Sequence, residues 1–389
     1  MALKRLHSTD EQDFKSEVDM LKMLKKRKHA HVINLLATFR LKGRYFLLFP
    51  YADFNLRQYW QHIPIPDFSQ ATVSWVLHQW KAIASALHEV HLYQSTHCSD
   101  TSKPEDEGRR YGRHGDIKAE NILLFAEGGV DDRGLLVLAD FGMTAFHKET
   151  SRSKVKPELV TGSPSYEPPE LMLHLSISRA YDIWSLGCFF LEFISWLLCG
   201  WEQLSRFPDA RGGTRATTPE LHDDMFFTIL EGEHKAIVRQ GVQDWMKDLH
   251  EMPRCSSFLH EMLSLISERM LVVDAGDRIQ ISQLNIQLAQ MIQRSTMDPF
   301  YLITPIPSSP RDQNPNSSSL AAFRKNGAFK PPLPTEGTPL PRRSSSVSGT
   351  QRTSVPLPQT EALMFIDTSP PTSPPTSPAP ERATIATFE

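Results

Sequence analysis

The chain of 389 residues is 40% hydrophobic, which supplies a sizeable core for one large domain or two smaller ones and excludes a protein disordered throughout. A formal net charge of −3 excludes a nucleic-acid or membrane-surface binder whose affinity rests on bulk charge. Local sites must carry the function.

In chain order, the start MALKRLHSTDE lacks the apolar core of a secretory signal. The next segment predicts a helix: Phe14, Val18, Leu21 and Leu24 recur at spacings of four, three and three, and Ser8 with Glu11 makes a capping box at its start. Glu17, one position before Val18, lies at the border of the apolar face and can reach inward. KRKHAHVINLLATFR and GRYFLLFPYA predict two short strands around a turn at Lys42-Gly43. From roughly residue 70 to residue 295 the pattern is mostly helical, clearest in ATVSWVLHQWKAIASALHEVHLY, AYDIWSLGCFFLEFISWLL and SSFLHEMLSLISERML. The polar interruption STHCSDTSKPEDEGRRYG predicts an exposed loop. Within the second helix, CFFLEFISWLLCGW is shorter than the ~20 residues a bilayer span needs and contains Glu192, so a buried core helix is expected. From about residue 300 Pro, Ser and Thr dominate and apolar periodicity disappears; such a segment buries too little apolar surface to offset ordering entropy of ~1 to 2 kcal/mol per residue, and a disordered tail is expected. No internal repeat is visible, so the folded part is expected to be one cooperative unit. Cys98, Cys188, Cys199 and Cys255 lie far apart with no CxxC pair, which fits reduced, structural thiols in an intracellular protein better than a disulfide or zinc framework. A small strand-rich part followed by a large helical part makes an α+β chain with two lobes.

The stretch GRHGDIKAENILLF places Asp116, Lys118 and Asn121 within a few residues, and LLVLADFG then ends in Asp140-Phe141-Gly142. An apolar strand delivering an acid just before a glycine can hold a divalent cation at a cleft edge. Asp140 and Asn121 offer hard oxygen ligands suited to Mg²⁺ bound jointly with phosphates. Asp116 is left to orient or accept a proton from an attacking hydroxyl, and Lys118 can neutralise charge on a moving phosphoryl group. Taken singly these residues are ordinary: a lone DFG is usually a turn after a strand, and Lys4 alone reads as a solvated lysine.

Their order and spacing resemble the protein kinase family, whose signature set includes a strand lysine, a helix glutamate, HRDxxxxN, DFG and APE. The resemblance covers about residues 1 to 295. It implies a protein-kinase-like two-lobed fold, with an incomplete small lobe over 1–52, a large lobe over 53–297 and the tail over 298–389. MALK is similar to the VAIK motif, making Lys4 the partner of the α- and β-phosphates of ATP and Ala2 part of the adenine ceiling; Glu17 matches the helix acid that pairs with that lysine. HGDIKAEN is similar to the catalytic loop, giving Asp116 as base, Lys118 as phosphate neutraliser and Asn121 as metal ligand; ADFG gives Asp140 as the main Mg²⁺ ligand. FLLFPYADFNL resembles the hinge, with Phe49 as gatekeeper, Tyr51 and Ala52 presenting backbone to adenine, and Leu123 joining the nucleotide-binding set. Structural roles are implied for His114 packed under Phe141, for Gly142, for Ser163 at the usual Thr position, for Glu170 with Arg278 as its salt-bridge partner, and for Asp182 as the brace of the catalytic-loop backbone. LLFPYADFNLRQYW and YGRHGDIKAENILLF also resemble a large kinase-like group of filamentous fungi.

The pattern departs from the family in two places. Many members carry an arginine before the catalytic aspartate, on which a phosphorylated loop docks; Gly115 offers no such charge, so activity is expected to be indifferent to alanine at Thr150, Ser151 or Ser153. HGDxxxxN is also the motif of small-molecule phosphotransferases resembling aminoglycoside and choline kinases, but Lys118, the PPE segment and Arg278 oppose that alternative, and Lys118 with Ser163 favours Ser/Thr over Tyr substrates. The first glycine is Gly43, so no glycine-rich loop precedes Lys4 in this sequence, and its strand is expected at a sheet edge. A chain start assigned too late, a degenerate pseudokinase or scaffold that binds partners through the large lobe and tail, and a short working form are the three explanations. The expected function is phosphoryl transfer from ATP with Mg²⁺ to Ser/Thr hydroxyls of protein substrates, in the cytoplasm or nucleus, without nucleic-acid or membrane partners. Ser-Pro and Thr-Pro pairs at Thr304, Ser309, Thr338, Ser369, Ser373 and Ser377, and the sequences RRSSS and KPPLP, suit other kinases and proline-reading domains, or form a solvated linker.

Overall fold

The computed structural model describes residues 1–6, 8–92, 112–129, 132–141, 164–215, 218–230, 232, 234–306 and 384–387. The small lobe is an antiparallel sheet with one helix. Strand β1 (Ala2–Arg5) pairs with β3 (Arg44–Phe49), which also pairs with β2 (Ala37–Leu41). The turn at Lys42-Gly43 has φ of 47° and 74°, the left-handed conformation at both central residues that matches the twist of a two-residue hairpin and that glycine adopts without a Cβ clash. Strand β2 starts later than its apolar run suggests, because His31 and Ile33 bond to Leu138 instead: Ile33 N donates to Leu138 O at 2.9 Å and Leu138 N to His31 O at 2.9 Å.

Helix α1 (Glu11–Lys26) buries Val18, Leu21 and Leu24 and stacks Phe14 on Tyr45, with ring centroids 4.3 Å apart. Its cap corrects the sequence expectation. Asp10, not Ser8, stands before the first helical residue, and its Oδ1 accepts from Gln12 N at 2.8 Å; Ser8 accepts from Asp10 N, and Glu11 pairs with Lys15 one turn on.

The large lobe begins with β4 (Phe54–Asn55) and α2 (Leu56–His62), where Asn55 and Gln58 form a reciprocal capping box. Helix α3 (Gln70–His91) runs through the lobe, and β5 (Ile122–Phe125) and β6 (Leu135–Leu138) complete a β4-β5-β6 ladder. Next come α4 (Pro169–Met172), α5 (Ala180–Leu204) and α6 (Phe207–Arg211). Two hairpins, β7 (Gly213–Arg215) with β8 (Thr218–Asp223) and β9 (Phe227–Leu230) with β10 (Lys235–Val238), interrupt the helical pattern. Helices α7 (Gln240–His250), α8 (Ser257–Leu265) and α9 (Ile281–Met297) close the lobe, α9 packing along α3.

Helix α5 is long and apolar enough by composition to cross a membrane, yet its most apolar window is entirely buried in protein and carries the fully buried Glu192. It breaks at Gly200, with φ 79° and ψ 177°, where Trp201 N bonds to Pro64 O at 2.8 Å and a Cβ on residue 200 would lie 2.6 Å from that same oxygen. Cys188, Cys199 and Cys255 are buried thiols outside any disulfide; Cys98 lies outside the described residues.

The packed body continues beyond residue 297, where composition alone set the boundary: the turn Pro299–Leu302 buries Tyr301 and Leu302 against the core. Thr304 belongs to this segment, its N donating to Phe300 O at 2.8 Å. Of the later tail only β11 (Thr384–Thr387) is described, antiparallel to β2, giving the sheet order β1-β3-β2-β11; the remaining Ser-Pro and Thr-Pro pairs lie outside the described residues.

Candidate active site

Lys4 sits in the middle of β1, opposite Leu47 of β3. Its Nζ lies 2.7 Å from Glu17 Oε1 on α1 and 2.7 Å from Asp140 Oδ1, just beyond β6. One ammonium thus joins the sheet and helix of the small lobe to the residue that follows β6 in the large lobe. Burial works to lower the Lys4 pKa, but the carboxylates of Asp140 and Glu17 outweigh it and hold the ammonium charged, above its ordinary range. Glu17 is 7% exposed, and burial, only partly opposed by Lys4, raises its pKa. Asp140 has φ 65°, a left-handed conformation that turns the chain sharply after β6.

A second cluster forms around Asp116. Lys118 Nζ is 2.8 Å from Asp116 Oδ2, and Asn121 Nδ2 donates to both that oxygen and the Asp116 carbonyl, each at 2.8 Å. The two clusters meet through the β5–β6 ladder, because Ala139 N donates to Asn121 O at 2.9 Å and Asp140 is the next residue.

The loop is held from beneath by Asp182, at the start of α5 and fully buried. Its oxygens accept from His114 N at 2.9 Å, Gly115 N at 2.8 Å and His91 Nε2 at 2.8 Å. Burial acts to raise the Asp182 pKa, yet the His91 hydrogen bond and charge, with His114 and the Gly115 amide, bring it below the ordinary carboxylate value. His114 is buried with its ring 4.9 Å from Phe141, edge-on at 60° rather than stacked flat. Its Nε2 donates to Ala139 O at 3.1 Å and its Nδ1 accepts from Asp116 N at 3.3 Å, so one tautomer of the neutral ring satisfies both; burial lowers its pKa accordingly.

Glu170 and Arg278 form a buried bidentate pair at 2.7 and 2.8 Å. Phe49 ends β3 opposite Ala2, half-buried; Tyr51 is exposed and Ala52 half-buried beyond it; Leu123 is half-buried on β5. Gly142 and Ser163, like Thr150, Ser151 and Ser153, lie outside the described residues.

The donor set fits a hard cation. Asp140 contributes a carboxylate that is 41% exposed, and Asn121 spends its NH₂ on Asp116, leaving its amide oxygen as a hard donor of the kind a magnesium ion would accept.

A protein kinase domain family model matches residues 1–287. The chain belongs to the protein kinase family. This kinase is 23% identical over 280 residues to cyclin-dependent kinase-like 5 of Mus musculus and of Homo sapiens, the matches covering 67% of this chain and 27% and 26% of those proteins. It is 28% identical over 195 residues to CTD kinase subunit alpha of Schizosaccharomyces pombe, covering 49% of this chain and 28% of that one. The chain therefore spans between about a quarter and three tenths of the length of these curated relatives.

Sequence reasoning missed two supports of the kinase site. His91, which bonds Asp182, ends α3 without any local motif. Arg57, on α2, bonds Glu120 Oε1 at 2.8 Å, next to Asn121, and Glu192 Oε2 of α5 at 3.0 Å; Tyr166 OH and Arg211 Nη1 also bond Glu192. No local signal could reveal these partners, which are 63 and 135 residues from Arg57; an acid in the middle of the apolar stretch CFFLEFISW was the one visible hint.

Proposed function

We propose that this kinase transfers the terminal phosphoryl group of ATP to Ser or Thr hydroxyls of protein substrates. The observation that carries the reading is the single Lys4 ammonium in contact with Glu17 and Asp140, residues 13 and 136 positions away. No core-packing demand requires an ammonium there; a phosphate-binding cleft does.

In this reading Asp116 accepts a hydrogen bond from the substrate hydroxyl and takes its proton as the new O–P bond forms, while the bond to the ADP leaving oxygen breaks. Asn121 fixes the Asp116 carboxylate by bonding both its side chain and its backbone. Lys118, within 2.8 Å of Asp116, offsets negative charge on the phosphoryl group as it moves. Lys4 steadies the non-transferred phosphates, and Glu17 holds Lys4 in place. Asp140 and Asn121 would hold Mg²⁺, which when bound supplies positive charge across the phosphate oxygens. Lys118 and the Glu170–Arg278 pair favour a protein substrate over a small molecule.

The test is transfer of labelled phosphate from ATP to a generic Ser/Thr protein substrate. Asp116→Asn should lower turnover by about 10² to 10⁴-fold, the usual worth of a positioned base. ATP with Mg²⁺ should raise the melting temperature of both proteins, because a ligand that binds only the folded state stabilises it. An unchanged melting temperature at millimolar nucleotide would replace this reading with that of a scaffold.

A further inference from the structure

The turn between α7 and α8 gathers three metal-binding side chains that no short motif announces. His250 ends α7, Cys255 lies in the turn, and His260 is on the first turn of α8. A ligand atom from each falls within 4.8 Å of the other two. Cys255 is fully buried and both imidazoles are partly buried. The ring centroids are 5.0 Å apart with planes 12° from parallel, and the two Nδ1 atoms face each other edge to edge at 2.7 Å.

Hydrogen bonding fixes where the protons are. His260 Nε2 lies 3.0 Å from the carbonyl oxygen of Ile306, which can only accept, so Nε2 carries the proton of the neutral ring and Nδ1 presents a lone pair. His250 Nδ1 then donates to that lone pair. A carbonyl that sets the tautomer of an imidazole and aims its other nitrogen inward is the arrangement found behind metal-ligating histidines. Burial and the adjacent His260 hold the His250 pKa down to about 4, so the His250 ring is neutral near pH 7. Burial pushes the Cys255 thiol up to about 12, a value that a bound cation reverses. Two imidazoles and a thiol, with no carboxylate in the cluster, suit a borderline-soft ion rather than calcium or magnesium.

We propose that His250 Nδ1, Cys255 Sγ and His260 Nδ1 form a binding site for a divalent transition metal, zinc being the best match, with water completing a tetrahedron. On binding, the His250 proton relocates from Nδ1 to Nε2 through solvent, the thiol proton leaves to water, and the three lone pairs form the metal bonds. One proton is released per metal. The two nitrogens open from their present contact to roughly 3.3 Å, the separation set by Zn–N bonds of about 2.0–2.1 Å at a tetrahedral angle. The ion would pin the end of α7 to α8. Through His260 and Ile306, whose N donates to Cys255 O at 3.1 Å, it would also secure the chain that follows α9.

The full chain, stripped of metal with a chelator, should bind one Co²⁺ saturably, with tetrahedral d–d absorption and a thiolate-to-cobalt charge-transfer band. Zinc should displace the cobalt and raise the melting temperature. Cys255→Ser should abolish the charge-transfer band, and His260→Ala should weaken binding by at least about tenfold, the loss that even an outer-shell change brings. Proton release in a weakly buffered solution should equal one per Co²⁺, a measurement that needs no variant to fold. An octahedral spectrum without charge transfer, a band that survives Cys255→Ser, or no proton release would each overturn the site.

Discussion

Gly115 answers to two demands at once. Its φ of 82° lies in the left-handed region, and its N–H is one of the two consecutive amides that Asp182 grips. A Cβ at this angle meets the following carbonyl, at a cost of roughly 1–2 kcal/mol, so Gly115→Ala should lower stability by about that amount in urea denaturation. The sequence pattern showed a missing arginine charge here; it could not show the backbone angle. Lys4 makes the second prediction. Glu17 has a folded pKa above its ordinary value of 4.5, so it binds more protons folded than unfolded. The stability linked to it is complete below pH 4.5 and is lost as pH rises through the folded value. Lys4→Met removes the charge that restrains this rise, moves the folded value further up and widens the window of loss. Melting temperature should therefore fall more steeply from about pH 5 upward in Lys4→Met than in the parent. Lys4, Glu17, Asp116, Asn121 and Asp140, which the structure gathers into two neighbouring clusters, could be picked out because their residue types follow the order of the protein kinase motifs. His91 and Arg57 were not, since an arginine or histidine that supports a loop from across the core leaves no spacing to read.

At the scale of elements, apolar periodicity located both ends of α3 and the starts of α5 and α8 to within about two residues, because each buries a continuous face whose membership repeats along the chain. Hairpins β7–β8 and β9–β10 escaped it: strands of three to six residues show too few alternations to stand out from a helical background. The α1 cap was misplaced because Ser8 and Asp10 are both good caps, and only the backbone decides between them. The junction of α4 and α5 depends on Arg278. Its guanidinium bonds both Glu170 oxygens, the carbonyls of Ala180, Val272 and Val273, and lies 5.1 Å from the Trp184 ring. Arg278→Ala leaves Glu170 buried and unpaired, and should destabilise the fold by about 3–5 kcal/mol in urea titration. Replacing both partners by methionine should cost less than the single change, since the penalty comes from the stranded charge; a double variant weaker than Arg278→Ala would contradict this account.

At the scale of the molecule, neither lobe holds the candidate site alone. Lys4 and Glu17 come from the small sheet and its helix, Asp116 and Asn121 from the large lobe, and Asp140 from just beyond the strand whose Leu138 bonds back to His31 and Ile33. That joint depends on a large lobe whose packing is completed by residues past α9. Tyr301 and Leu302 are 4% and 1% exposed, Tyr301 packs edge-on against Phe258 at 5.9 Å, and its hydroxyl bonds Glu261 at 2.9 Å. Composition could not find this segment, because a proline-rich stretch begins within it and two buried side chains do not make a periodic pattern. Two shortened chains isolate its contribution: one ending after residue 306 and one after residue 297, both lacking β11, so that strand cancels from the comparison. Burying a large apolar side chain stabilises by roughly 1.5–3 kcal/mol, and the extended-chain reference makes the two-residue sum of about 3–6 kcal/mol an upper estimate. The shorter chain should unfold at a clearly lower urea concentration and bind ATP with Mg²⁺ more weakly at temperatures near its midpoint, as the joint loosens with the lobe that carries it. Equal midpoints for the two chains would place residues 298–306 outside the cooperative unit and return the large-lobe boundary to the end of α9.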